Sequence, residues 1–312
     1  MKTGAAIFLV AATAAGCGRG PESGENGLLS FRWQLVDAPG PRELTRAMAR
    51  GFRMDVMVER GGAKVPIASA APRDRTLFAI PSVREEAFTI EAERAGNGLV
   101  DVSAGGFSDA TSFIVAELKR VKLDPPAATG RMPYTQFAFL RGGTALFGMQ
   151  LLGLDDRPLI GWGAVPVTFA PARTATALIT VMTDHLAVQF DNYGRVSITP
   201  LGGPSIEGDI VDPSHVTALS LTALGPTTSI AQAAGAPVAH LLLEAKLDDD
   251  RDGVGLDGVV TVESRNPSQC AVAIAPVMGN GVYAVRGLSP GSCLLVANIG
   301  PLSARTTIAI AP

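Results

Sequence analysis

The chain has 312 residues, a net charge of −3, 47% hydrophobic and 18% charged residues. That length exceeds what one hydrophobic core usually organises and predicts two or three domains. The slightly acidic balance excludes a strongly basic nucleic-acid surface, and the apolar content excludes disorder as the state of the whole chain.

Lys2 and the apolar run from Ala5 to Ala15 read as an export signal, because the run is far short of a membrane span. It ends in Ala14-Ala15-Gly16-Cys17, which resembles the bacterial lipobox. The resemblance implies cleavage before Cys17, diacylation of its thiol and attachment to an envelope membrane. An ordinary signal peptide cleaved nearby is the alternative. Acyl chains anchor because each buried methylene contributes about 0.8 kcal/mol. Gly18 stands where an aspartate often marks inner-membrane retention, so the expected address is the outer rather than the inner membrane. The stretch GRGPESGENG offers no apolar side chain for packing and predicts, with Cys17, a flexible tether over 17–27 with a reach of about 18 Å.

Beyond residue 27 no long segment has helical periodicity, whereas short alternating runs recur. Leu29, Phe31, Trp33 and Leu35 alternate with Ser30, Arg32 and Gln34; Phe52, Met54, Val56 and Val58 alternate with Arg53 and Asp55, Met57 breaking the polar face. Such strands bury one face, as antiparallel sheets in sandwiches do. Arg42 to Arg50, RELTRAMAR, predicts one short helix closed by Gly51.

A longer regularity follows. Strands near Ala87–Ala92, Leu186–Phe190 and Val282–Val285 each lead through a glycine turn to a second strand, a second turn and a third strand. The turn glycines expected to correspond are Gly98, Gly194 and Gly291, spaced by 96 and 97 residues. The predicted domains are therefore 28–120, 121–212 and 213–312, after a signal peptide over 1–16. Units of this size with short strands are the pattern of immunoglobulin-like sandwiches, and the fold class expected is all-β. LDDRPLIGWGAVPVTFAP (154–171) and LDDDRDGVGLDGVVTVES (247–264) resemble the acidic turn, glycine and valine-threonine strand of tandem bacterial immunoglobulin-like domains. That resemblance implies a fold shared by many unrelated functions.

Candidate sites are few. Asp248, Asp250 and Asp252 before Gly253 match the opening of a calcium loop, although position twelve is Val259 rather than a bidentate Glu. The equivalent turn at Leu154-Asp155-Asp156-Arg157 has too few acids for a cation, so a plain polar turn is the competing reading. With Cys17 assigned to lipid, Cys270 and Cys293 remain, and export to an oxidising compartment predicts that they pair. A redox-active or metal-binding pair is the alternative, with no C-x-x-C spacing or nearby His behind it. His185, His215 and His240 lack a second ligand at metal-binding spacing. Trp33 shares a face with Leu29 and Phe31 and is expected in the core, while Trp162, between two glycines, is the candidate for an exposed sugar-stacking ring. No cofactor is expected other than calcium.

Two functions fit these residues. The first is a noncatalytic, lipid-anchored envelope protein acting as stalk, adhesion or binding module, with the membrane and an envelope protein or polysaccharide as partners. The second is an accessory or catalytic component of envelope polysaccharide processing, which would need paired carboxylates facing each other across a cleft. The acids cluster in turns, which favours the first.

Overall fold

The structure, a computed structural model, describes residues 22–34, 42–43, 47–127, 133–179, 184–224, 229–231, 239–275 and 278–312. Apolar residues at period two, cut by glycine and proline every few residues, favour strands over helices. No α-helix occurs among the described residues.

The first copy of the repeat contains β1 (Glu22–Ser23), β2 (Ser30–Gln34), β3 (Arg42–Glu43), β4 (Met48–Ala49), β5 (Arg53–Arg60), β6 (Ala63–Lys64), β7 (Ile67–Pro72), β8 (Phe78–Val83), β9 (Ala87–Ala92), β10 (Gly96–Ala104) and β11 (Phe107–Ala116). The second contains β12 (Arg120–Leu123), β13 (Phe137–Leu140), β14 (Thr144–Leu152), β15 (Pro158–Leu159), β16 (Val167–Ala170), β17 (Ala175–Leu178), β18 (His185–Phe190), β19 (Gly194–Pro200) and β20 (Ile206–Val211). The third contains β21 (Val216–Leu224), β22 (Ser229–Ala231), β23 (Ala239–Leu247), β24 (Asp252–Val254), β25 (Thr261–Ser264), β26 (Cys270–Ile274), β27 (Val282–Gly287), β28 (Gly291–Ile299) and β29 (Leu302–Ala311).

Pairing repeats strand for strand. One sheet runs β2-β5-β9-β8 in the first copy, β12-β14-β18-β17 in the second and β21-β23-β27-β26 in the third. The other runs β4-β11-β10-β7, β13-β20-β19-β16 and β22-β29-β28-β25. In each copy a short strand pairs parallel with the last one: β4 with β11, β13 with β20, β22 with β29. This four-on-four order, with the two C-terminal strands beside each other in the second sheet, is immunoglobulin-like.

The glycine opening the penultimate strand has a positive φ in every copy: +153° at Gly96, +111° at Gly194 and +144° at Gly291. Side chains are strained there, so glycine marks the turn. Gly98 lies inside β10 opposite Phe113, so the first equivalent position is Gly96 rather than Gly98.

Inward-facing residues form three large apolar clusters. Phe31, Trp33, Phe78, Phe88 and Phe113 fill the first. Phe139, Phe147 and Phe190 fill the second, where Phe139 stacks on Phe190 at 4.1 Å. Leu241, Leu243, Leu295 and Ile308 fill the third. Each such side chain contributes about 1.5–3 kcal/mol on burial. Cys270 on β26 and Cys293 on β28 form a disulfide with Cα atoms 5.9 Å apart, tying together the two sheets of the third copy. In the chain-entropy account a closed loop of this length contributes about 3 kcal/mol.

Several expectations are corrected. Residues 22–27 are not a free tether: β1 pairs with β2, and the turn that follows is bonded into the first sandwich. The helix expected over 42–50 is absent from its described part. Arg42–Glu43 pairs with β2 and Met48–Ala49 with β11, because nine residues are marginal as a helix whereas Met48 and Ala49 gain burial beside β11. β5 is buried on both faces, Asp55, Met57 and Glu59 included. Ions cover the outer face: Arg84 lies 2.8 Å from Asp55, Thr89 donates to Asp55 at 2.6 Å, and Arg32 lies 3.4 Å from Glu59. Finally, the sheets do not stop at residue 212. β13 also pairs parallel with β24, joining Phe137, Ala138 and Phe139 to Asp252, Gly253 and Val254 in one nine-stranded sheet.

Candidate functional site

Cys17 lies outside the described residues. The Asp248 turn is a short hairpin between β23 and β24, and three of its four carboxylates each face a separate basic side chain. Asp248 faces the His215 ring at 2.8 Å, Asp249 takes Arg251 at 2.7 Å, and Asp252 takes Lys246 at 2.6 Å. Asp250 holds the corner at φ +64°. Among the described residues no group of three His, Cys, Asp or Glu side chains converges as metal ligands. The hydrogen bond to Asp248 raises the His215 pKa, and that to Asp252 raises that of Lys246. Arg251 also reaches Asp209 on β20 at 2.7 Å, so the turn leans on the preceding copy.

Trp162 is half-buried and sits in the seam between the first and second copies. Its backbone exchanges both hydrogen bonds with Arg53, at 2.8 and 2.9 Å, and the Arg53 guanidinium lies 5.8 Å from its ring. Next to it Ile160 packs into the first core, while Ala49 and Phe52 pack into the second. The ring is part of a joint, not an open stacking platform. Trp33, as expected, is in the core.

The seam between the second and third copies is also built from backbone. Thr144 N donates to Asp257 O at 2.8 Å, and Asp252 N donates to Gln136 O at 2.9 Å. Asn280, only 6% exposed, behaves like an added stretch of strand. Its Oδ1 accepts from Leu146 N at 2.7 Å, and its Nδ2 donates to Leu146 O at 2.7 Å and to Ala127 O at 3.2 Å. Gly143 approaches so closely that a Cβ there would stand 1.8 Å from the Gly255 carbonyl oxygen. Arg141 lies over the Tyr193 ring at 4.2 Å and contacts Asp212, which also accepts from Tyr193 Oη at 2.7 Å.

A third cluster belongs to the first copy. Asp109 enters the sandwich from β11, 4% exposed, and its carboxylate is filled by backbone amides. Oδ1 accepts from Asn26 and Ala110, Oδ2 from Leu28 and Leu29, all at 2.8–3.0 Å. Burial, the largest single influence, pushes this carboxyl up, but the four amides together hold it below its ordinary value. Beside it opens a cleft of about 360 Å³, lined by Asn26, Ser69, Arg73, Asp101, Ser103 and Ser108 among others. Arg73 takes both oxygens of Asp101, at 2.9 and 3.1 Å, and reaches Glu25 at 3.0 Å. Asp101 and Asp109 share this cleft, yet neither is free for acid/base work: one is held by a guanidinium, the other by amides that favour its charged form.

Acid-rich turns dominate the sequence pattern, and these residues do not stand out beside them. Asp109 carried a usable signal: in β11 it shares its face with Thr111, Phe113 and Val115, an acid on a core-facing period. Asn280, inside Gly279-Asn280-Gly281, is indistinguishable from an ordinary turn residue.

No family model and no curated protein matches the chain. Among solved structures it is similar to surface layer protein SbsC, domains 4-9, at 13% identity and a TM-score of 0.29, covering 90% of this chain and 47% of that one. It is also similar to invasin, described as a bacterial integrin-binding protein, at 12% identity and a TM-score of 0.26, covering 91% and 60%. The I9-I11 tandem of titin is similar at 6% identity and a TM-score of 0.19, covering 85% and 95%. The chain thus spans about half the length of the surface-layer fragment. The immunoglobulin-like description rests on the strand order of the chain itself.

Proposed function

We propose that the chain is a noncatalytic bacterial envelope protein, anchored by lipid on Cys17, that holds linked sandwiches outward from a membrane as a stalk or binding module. The observation that carries this reading is the pair of seams: at both junctions the backbone itself is paired, so successive sandwiches are held against one another rather than strung on loose linkers. The sequence AAGC at the end of an export signal supplies the anchor, and outer-membrane delivery follows from Gly18. With β1 beginning at Glu22, the spacer between Cys17 and the first strand is a few residues, and the first sandwich stands within roughly 17 Å of the anchored thiol.

The test is partition. The full chain should enter the membrane and detergent phases, and Cys17→Ser should stay in the aqueous phase or remain uncleaved. Equal partition of the two proteins would overturn the anchor.

A further inference from the structure

The cleft of the first sandwich has a floor made of two cross-strand rows. Ser69, Ser103 and Ser108 stand opposite one another on β7, β10 and β11, and Ala71, Asp101 and Ala110 form the next row. With strands about 4.8 Å apart, each row spans roughly 10 Å. The Ser103 and Ser108 hydroxyls are 3.0 Å apart. Arg73, itself paired with Glu25, and Asp101 wall one side, and Asn26 stands on the rim, its amide held by the Asp109 carboxylate.

This set of groups selects by elimination. Carboxylates outnumber the single guanidinium, so phosphate, sulfate and acidic polymers are repelled. A cation finds no free ligand pair, because Asp109 is saturated by amides and Asp101 by Arg73. No aromatic ring lines the cleft, which leaves little for an apolar ligand. What the floor does offer is a row of hydroxyls, of which Ser103 and Ser108 bond each other and keep lone pairs to accept with, and beside them an amide and an ion pair.

We propose that this cleft binds a neutral, hydroxyl-rich saccharide. The inference rests on the reading of the chain as an envelope binding module, because Asn26 of the N-terminal turn lines the cleft and places it at the end of the chain that carries the proposed anchor. Free monosaccharide and an internal stretch of polysaccharide present the same chemistry. Without stacking, each contact is weak, and affinity from many equivalent contacts along a polymer compensates for it.

The experiment titrates the full chain in detergent with glucose, maltotriose, chitotriose and heparin, following backbone amide shifts and calorimetry. A neutral sugar should produce saturable shifts at Ser69, Ser103 and Ser108. Tighter binding of a trisaccharide than of glucose identifies a polymer segment, and the reverse order identifies a free sugar; either supports the site. The double variant Ser69→Ala and Ser108→Ala, both exposed positions, should weaken binding about tenfold. No saturable shift with any neutral sugar, displacement by heparin, or unchanged affinity in the double variant would overturn the proposal. Detergent partition of the same samples separates the two readings. Partition without sugar binding sinks only the cleft, and sugar binding without partition sinks only the anchor.

Discussion

Asp109→Ala is expected to destabilise the first sandwich by about 3–4 kcal/mol and to free the N-terminal turn for proteolysis between Glu25 and Gly27. The side chain satisfies four backbone amides at once, and Leu29 is buried, so water cannot fully replace the lost acceptor. β1 pairs with β2 through only two residues and cannot hold the turn alone. Asp109→Asn should cost less, because one oxygen is kept while an NH2 group is set against amide donors. Denaturant unfolding and timed proteolysis of the full chain check both. A protection pattern equal to the parent's would show that the turn is held elsewhere.

The same carboxylate gives a pH signature. Its folded pKa lies below the ordinary aspartate value near ~3.9, so its contribution is complete above that value and is lost as pH falls through the depressed folded one. The turn should stay protected at pH 5 and loosen only in stronger acid. In Asp109→Ala the acid step should vanish, the turn being open throughout.

Gly143→Ala should cost about 3 kcal/mol and act at a different place, the joint between the second and third sandwiches. The added methyl meets the Gly255 carbonyl oxygen, a backbone atom that cannot rotate away as a side chain would. Relief requires the two copies to separate, which also pulls Thr144 N from Asp257 O and Leu146 from Asn280. The centres of the two cores lie away from the contact, Phe147 and Phe190 on one side and Leu241 and Leu295 on the other, although Leu140 and Val254 at the joint each pack into the neighbouring copy's cluster. The variant should therefore keep its sandwiches and lose their coupling, visible as two unfolding transitions drawn apart in calorimetry. Unchanged coupling would mean that the approach of Gly143 to Gly255 is not required.

What could be read in the sequence was whatever has a period. The alternation of Leu29, Phe31 and Trp33 placed three side chains in a core, and the spacing of Gly194 and Gly291 marked equivalent turns. The pairing of Cys270 with Cys293 followed from compartment and parity. What escaped were contacts made by backbone. The β13–β24 pairing depends on a three-residue edge with no compositional signature, and the sharing of Ile160 and Phe52 between cores appears only after folding. The N-terminal turn was missed for a related reason. GRGPESGENG looks unpackable because it has no apolar side chain for a core, yet its described end is tied down by backbone: the amides of Asn26 and of the following Leu28 both reach Asp109, more than eighty residues away along the chain.

Hydrogen exchange at the seam between the second and third sandwiches tests most directly whether these copies form a bonded array. The amides of Thr144, Leu146 and Asp252 donate across that joint to Asp257 O, Asn280 Oδ1 and Gln136 O. In a bonded array they should be protected to nearly the same degree as amides in the middle of β14 and β23, and Gly143→Ala should expose them selectively. Exchange of these three amides at the rate of open loops, while β14 and β23 remain protected, would contradict the account and leave the sandwiches as independent beads on a chain.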